Sequence, residues 1–205
     1  MTDTSWAPVR RRRGRPPASD SAVTRERILR AAQKVFAEFG YEAATFQAIA
    51  VEIGLTRPAI NNYFHSKSAL YTAVVGRVSN AVLDAIHTAS EAPTLAGQVL
   101  TFVRVGIRGE GVDPSLAAFM VQAAVDVGHL PAEDNEAAAL IERFIRAAVG
   151  AAQHRGELTG SPDGLTDMLM GAVLGMAFQL GRSDSARADR MLDQLQIVLE
   201  KGLTA

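Results

Sequence analysis

Cysteine is absent from all 205 residues, which removes any disulfide framework and any thiolate metal site. No apolar run approaches the roughly 20 residues that a membrane-spanning helix needs. The N-terminus is basic but has no apolar segment of the kind a signal peptide carries. The four histidines, His65, His87, His129 and His154, are scattered and never stand at the i, i+4 spacing of a helical zinc site. There is no phosphate-cradling glycine loop and no Gly-x-Ser-x-Gly elbow. These gaps argue against catalysis, a metal centre, a cofactor and a membrane anchor. They leave a cytoplasmic, non-enzymatic protein as the simplest expectation.

What is present suits a globular chain. Hydrophobic residues make up 48% and charged residues 21%, enough apolar material for a real core. The net charge of −1 hides a strong asymmetry. Residues 1–71 hold eleven Lys and Arg against six Asp and Glu, a surplus of five; the remainder holds ten against sixteen, a deficit of six. A basic first third fits contact with a polyanion, and an acidic remainder would turn away from it.

Residues 1–20 form an arm that cannot pay for its own ordering. It carries Arg10, Arg11, Arg12, Arg13 and Arg15, and the run Arg13-Gly14-Arg15-Pro16 resembles the core of an AT-hook, a minor-groove motif. Such an arm can contact phosphates or enter a narrow minor groove. Residues 22–39 then read as a helix. Ile28, Leu29, Ala32, Val35, Phe36 and Phe39 share one face, and Gly40 is the stop.

The stretch from Thr45 to Lys67 reads as a helix-turn-helix. Thr45 caps its first helix, Gly54 sits at the sharp turn, and Thr56 caps a short second helix running from Arg57 to about Tyr63. Pro58 lies in that helix's first turn, where a missing N–H costs little. Ser66 caps a long fourth helix carrying Leu70, Val74, Val78, Val82 and Ile86. The periodicity continues into five more helices, over 93–108, 115 to about 127, about 132–154, 163 to about 180, and 185–201. The seventh opens on Glu133, Asp134 and Glu136, which suits the helix macrodipole. The whole is an all-α chain of about nine helices. Its expected parts are a basic arm at 1–20, a three-helix head at 21–67 and a larger helical body at 68–205.

The eighth helix is apolar around its whole girth, so it must be buried on more than one side. Gly171 and Gly175 leave a flat strip beside Leu174 and Phe178, and the ninth helix adds Leu192, Leu195, Val198 and Leu199. A homodimer through these two helices is the economical solution; the alternative is that helix eight is the central core helix of a monomer.

The segment from Thr24 to about Val75 resembles the DNA-binding domain of the TetR (tetracycline-repressor-like) family of bacterial transcriptional regulators. The resemblance rests on Ile28, Ala31-Ala32, Phe36, Gly40-Tyr41, Thr45, Ile49-Ala50, Gly54-Leu55-Thr56, Phe64, Ser66-Lys67 and Leu70. Two positions depart from it. Pro58 stands where the family often has glycine, and Asn61 where it often has tyrosine.

The resemblance implies a regulator, most simply a repressor, that binds double-stranded DNA as a homodimer at an inverted-repeat operator. A small-molecule effector then releases it. Arg57 is the expected guanine reader, since arginine can grip O6 and N7 together. Asn61 or Asn62 could engage adenine or fall back to phosphate, and Thr56, Pro58 and Ala59 give the helix a low profile. Thr45, Gln47, Tyr63, His65 and Lys67 are expected on the phosphate backbone, where contacts set register. An apolar or amphipathic effector would lie among Phe102, Phe119, Met120, Phe144 and Met168, with Arg104, Gln122 and His129 as orienting polar groups. The alternative is a weakly specific DNA-organising protein that has no effector.

Overall fold

The computed structural model describes residues 18–108, 113, 115–125, 136–158, 161–180 and 185–202. These residues form helices α1 (Ala18–Ala43), α2 (Phe46–Glu52), α3 (Arg57–Asn61), α4 (Lys67–Ser90), α5 (Leu95–Arg108), α6 (Ser115–Val125), α7 (Glu136–His154), α8 (Leu165–Leu180) and α9 (Ser185–Gly202), with no strand among them. The all-α expectation holds. Residues 1–17, which hold the arm's arginines, and His129, Glu133 and Asp134 lie outside the described residues, while residues 18–20, expected in the arm, open α1.

Local chemistry sets most of the boundaries. Thr45, Thr56 and Ser66 each adopt extended backbone, and each hydroxyl accepts from the amide three residues on, at 3.1, 3.3 and 3.0 Å. Helix α5 starts at Leu95 rather than Pro93, with the Thr94 hydroxyl accepting from the Gly97 amide at 3.1 Å. Helix α3 ends at Asn61, shorter than periodicity suggests.

The turn between α2 and α3 closes as a Schellman motif. Leu55 N donates to Ala50 O at 2.9 Å and Gly54 N to Val51 O at 3.3 Å, with Gly54 at φ +67°. Gly40, at φ 74° and ψ 175°, breaks the continuity of α1 in a region that is essentially glycine's alone. The chain turns there so that Tyr41, not Phe39, lies against Phe36, with ring centroids 6.1 Å apart. Phe39, expected on the inner face, is accordingly 54% exposed. Gly40→Ala is expected to cost about 1–3 kcal/mol from backbone strain alone. Urea denaturation would measure it, and a loss below about 0.5 kcal/mol would contradict a strained φ.

Two apolar cores result. The first gathers Ile28 and Phe36 of α1, Ile49 of α2, Ile60 of α3 and Leu70 and Val74 of α4. It also takes Leu116 and Phe119 from α6, far along the chain. The head's core therefore runs past residue 67 and is completed by the body. The second core joins α4, α5, α7, α8 and α9 around Val103, Ile141, Ile145 and Leu169.

A polar joint runs beside the seam. Gln33 is fully buried on α1. Its amide nitrogen donates to Ser115 Oγ at 2.8 Å, and its oxygen accepts a short hydrogen bond from Arg77 of α4. Ser115 in turn donates to Asp113 Oδ1 at 2.7 Å, and Arg77 Nε donates to Glu26 Oε1 at 2.9 Å. Burial pushes the Glu26 carboxyl up, but its hydrogen bonds from Arg77 and Arg30 outweigh this and hold it below its ordinary value. Helices α1, α4 and α6 are thus pinned together by a chain whose members satisfy one another. Among the described residues, no helix is long and apolar enough to cross a membrane.

Candidate nucleic-acid interface

Caps and turn together present α2 and α3 on one side of the head. An open groove of about 840 Å³ runs between the start of α2, the front of α3 and the start of α4. It brings together Thr45, Gln47, Arg57, Asn61, His65 and Lys67, six of the residues singled out from sequence. Thr56, Pro58 and Asn62 are exposed nearby on α3 and its caps, and Ala59 is half-buried. Tyr63 is half-buried and packs against the head's own core.

The basic residues of the described head separate into two kinds. Arg25 lies over the Phe64 ring at 5.0 Å. Arg27 donates to Ile53 O at 3.1 Å, closing the end of α2. Arg30 pairs with Glu26 at 3.1 Å. Lys34 pairs with Glu52 at 2.6 Å, and that carboxylate holds the ammonium above its ordinary pKa. Lys67 donates to Tyr41 O at 2.8 Å and Glu42 O at 2.9 Å, and sits 4.5 Å from the Tyr41 ring centre.

Lys67 is therefore first a clamp between the end of α1 and the start of α4, with one N–H left to offer the groove. Arg57 differs from all of these. It is exposed, and among the described residues it makes no hydrogen bond, ion pair or ring contact. A guanidinium with five free donors, aimed outward from a short helix, can grip a base edge or a phosphate.

Comparison with known proteins fits this geometry. Residues 28–74 match the family model described as bacterial regulatory proteins, tetR family. The match spans the helix-turn-helix of the head and the start of α4. The HTH-type transcriptional repressor BepR of Brucella suis is 41% identical over 59 residues, which are 29% of this chain and 28% of that repressor. The chain thus matches under a third of that curated relative's length. The likeness in fold extends further. The TetR family regulator PfmR of Thermus thermophilus superimposes with a TM-score of 0.65 at 23% identity, over 87% of this chain and 100% of that one. A Saccharomonospora viridis protein solved in complex with choline gives 0.70 at 18% identity, over 90% and 99%.

Behind the head, α4 to α8 surround a small cavity of about 20 Å³, room for about one water molecule. Of the residues expected around an effector, Phe102 and Met120 line it. Phe144 backs Phe102 with ring centroids 5.4 Å apart. Phe119 does not line it; it turns the other way, onto Tyr71 of the head at 5.5 Å. Arg104 is exposed and donates to Gln196 of α9 at 3.0 Å, so it cannot orient a molecule in the cavity. Met168 is 54% exposed on the outside of α8, and Gln122 is half-buried on α6 away from the lining.

The expected dimer residues divide as well. Gly171, Gly175 and Phe178 are exposed on α8, and a Cβ at either glycine would meet nothing. Leu195 is half-buried in an open groove of about 620 Å³ between α8 and α9. Leu192 and Leu199 instead face the subunit's own core, and Leu174 lines the cavity. Val198 of α9, also expected at this face, is 60% exposed, and sequence reading missed its outward neighbour Ile197, 44% exposed. Its position, one turn beyond Gln194 and beside Val198, was the available signal.

Proposed function

We propose that this chain is a ligand-responsive transcriptional regulator, most simply a repressor, that binds an inverted-repeat operator as a homodimer. One observation carries the reading. In a head whose other described basic side chains are committed internally, Arg57 alone stands uncommitted at the front of the second helix of the helix-turn-helix. Asn61 shares its groove, so that a guanine and an adenine contact can be made from one helix.

One head covers too few base pairs to select a genomic site, so a two-fold pair is required. The outward face of α8 and α9, with Phe178, Val198 and the open glycine strip, supplies an apolar surface for that pairing. A regulated head also needs a body that can hold two arrangements. The seam of Gln33, Arg77 and Ser115 offers such a joint, because it ties α6 and α4 directly to α1.

Selection of bound duplexes from a random pool tests this. Enrichment of one short inverted repeat is the expected result. Length-dependent coating with no preferred sequence and a steep salt slope would mark a DNA-organising protein instead.

A further inference from the structure

Among the described residues, eleven line the cavity where α4, α5, α6, α7 and α8 meet, and not one of these carries a side-chain nitrogen, oxygen or charge. Binding pockets ordinarily include a few convergent polar groups that fix orientation. Here the helical backbone has bonded its own amides and carbonyls, so a polar ligand atom would find no partner. Among these described residues the lining holds one aromatic ring, Phe102, whereas quaternary ammonium ligands are held by cages of several rings. Small residues make the room: Ala81, Gly106, Ala117 and Ala177. Gly106 also sets the approach of α5 to α4, since a Cβ there would stand 3.3 Å from that of Ala85.

From this lining we infer that the cavity binds a compact, uncharged apolar molecule and excludes ammonium and carboxylate ligands. This narrows the effector reading above and rests on it for regulatory meaning, but not for binding itself. The present space holds about one water molecule, and an apolar cavity of about 150 Å³ takes up benzene. The expansion can come from Met120 and Leu174, half-buried and unbranched at Cβ, which can swing aside. Met120 also touches the head's core, and its neighbours Leu116 and Ala117 follow directly on Ser115, the partner of Gln33. Filling the cavity thus presses on the helix that is hydrogen-bonded to the head.

Calorimetric titration of the full chain with toluene, benzoate and benzyltrimethylammonium separates the classes, because all three present the same ring. Toluene is expected to bind and raise the melting temperature. The charged pair should bind roughly tenfold weaker or worse, as an unpaired buried charge requires. Ala177→Leu should abolish toluene binding, and Ala81→Leu, at a half-buried position, provides a second filled cavity should the first variant fail to fold.

Absence of toluene binding, equal or tighter binding of a charged probe, or binding unaffected in either folded variant would overturn the inference. Release of the selected duplex is measured separately. Toluene that binds without releasing DNA would leave the site standing and sink the effector reading.

Discussion

Phe119→Ala is expected to destabilise the protein by about 3–5 kcal/mol, the usual cost of emptying a buried phenylalanine site. The side chain is 3% exposed, its ring lies 5.5 Å from that of Tyr71, and Tyr71 in turn meets Phe36 at 5.0 Å and Tyr41 at 5.1 Å. Phe119 is therefore the last member of an aromatic chain whose other members belong to the head. Its neighbours Leu116 and Tyr71 are held by helices with other contacts, so the hole cannot simply collapse.

Phe178→Ala is the natural control, since that ring is 44% exposed in the subunit. Urea denaturation followed by far-ultraviolet circular dichroism, at protein concentrations where the subunit is dissociated, compares the two. A Phe119 loss no larger than the Phe178 loss would mean that the head does not depend on α6. The expected difference would show the reverse: residues 21–67 are not a unit that folds alone.

Arg57→Ala should leave stability almost untouched and alter DNA choice. The side chain is exposed and makes no internal contact, so its removal exposes no buried partner. If it grips a guanine, discrimination at one position of each half-site should fall by about 1–3 kcal/mol. Competition between the selected operator and single-base variants reads this directly. Uniform weakening on every sequence would reassign Arg57 to phosphate. The contrast with Lys67 sharpens the test. Lys67 is fastened to two carbonyls of the α1 end, so its replacement should cost stability before it costs affinity.

Much of the head was legible because its signals are local. A capping hydroxyl at Thr45, Thr56 or Ser66 acts on an amide three residues away, and Gly40 and Gly54 act on their own dihedral angles. Such effects need no knowledge of what the helix later packs against. Helix faces were legible wherever polar and apolar residues alternate with the helical period, as in α7, where Ile141, Phe144, Ile145 and Ala148 are buried as expected.

Helix α8 shows where that stops. It is apolar all round, so periodicity could not say that Leu169, Val173 and Ala177 turn inward while Met168 and Phe178 turn out. Nor could it separate Leu192 and Leu199, which serve the subunit's own core, from the outward Val198.

The sequence by itself determined the elements, their caps, the helix-turn-helix and the charge asymmetry, since each follows from residues within a turn or two of one another. Only the tertiary structure decided which basic side chains of the head were left uncommitted. Arg27, Lys34 and Lys67 find their partners 18 to 26 residues away, and Arg57 finds none. It also decided that Phe119 serves the head rather than the cavity, because a helical residue's neighbours across a core are set by how whole helices cross, a global balance of packing that no local pattern encodes.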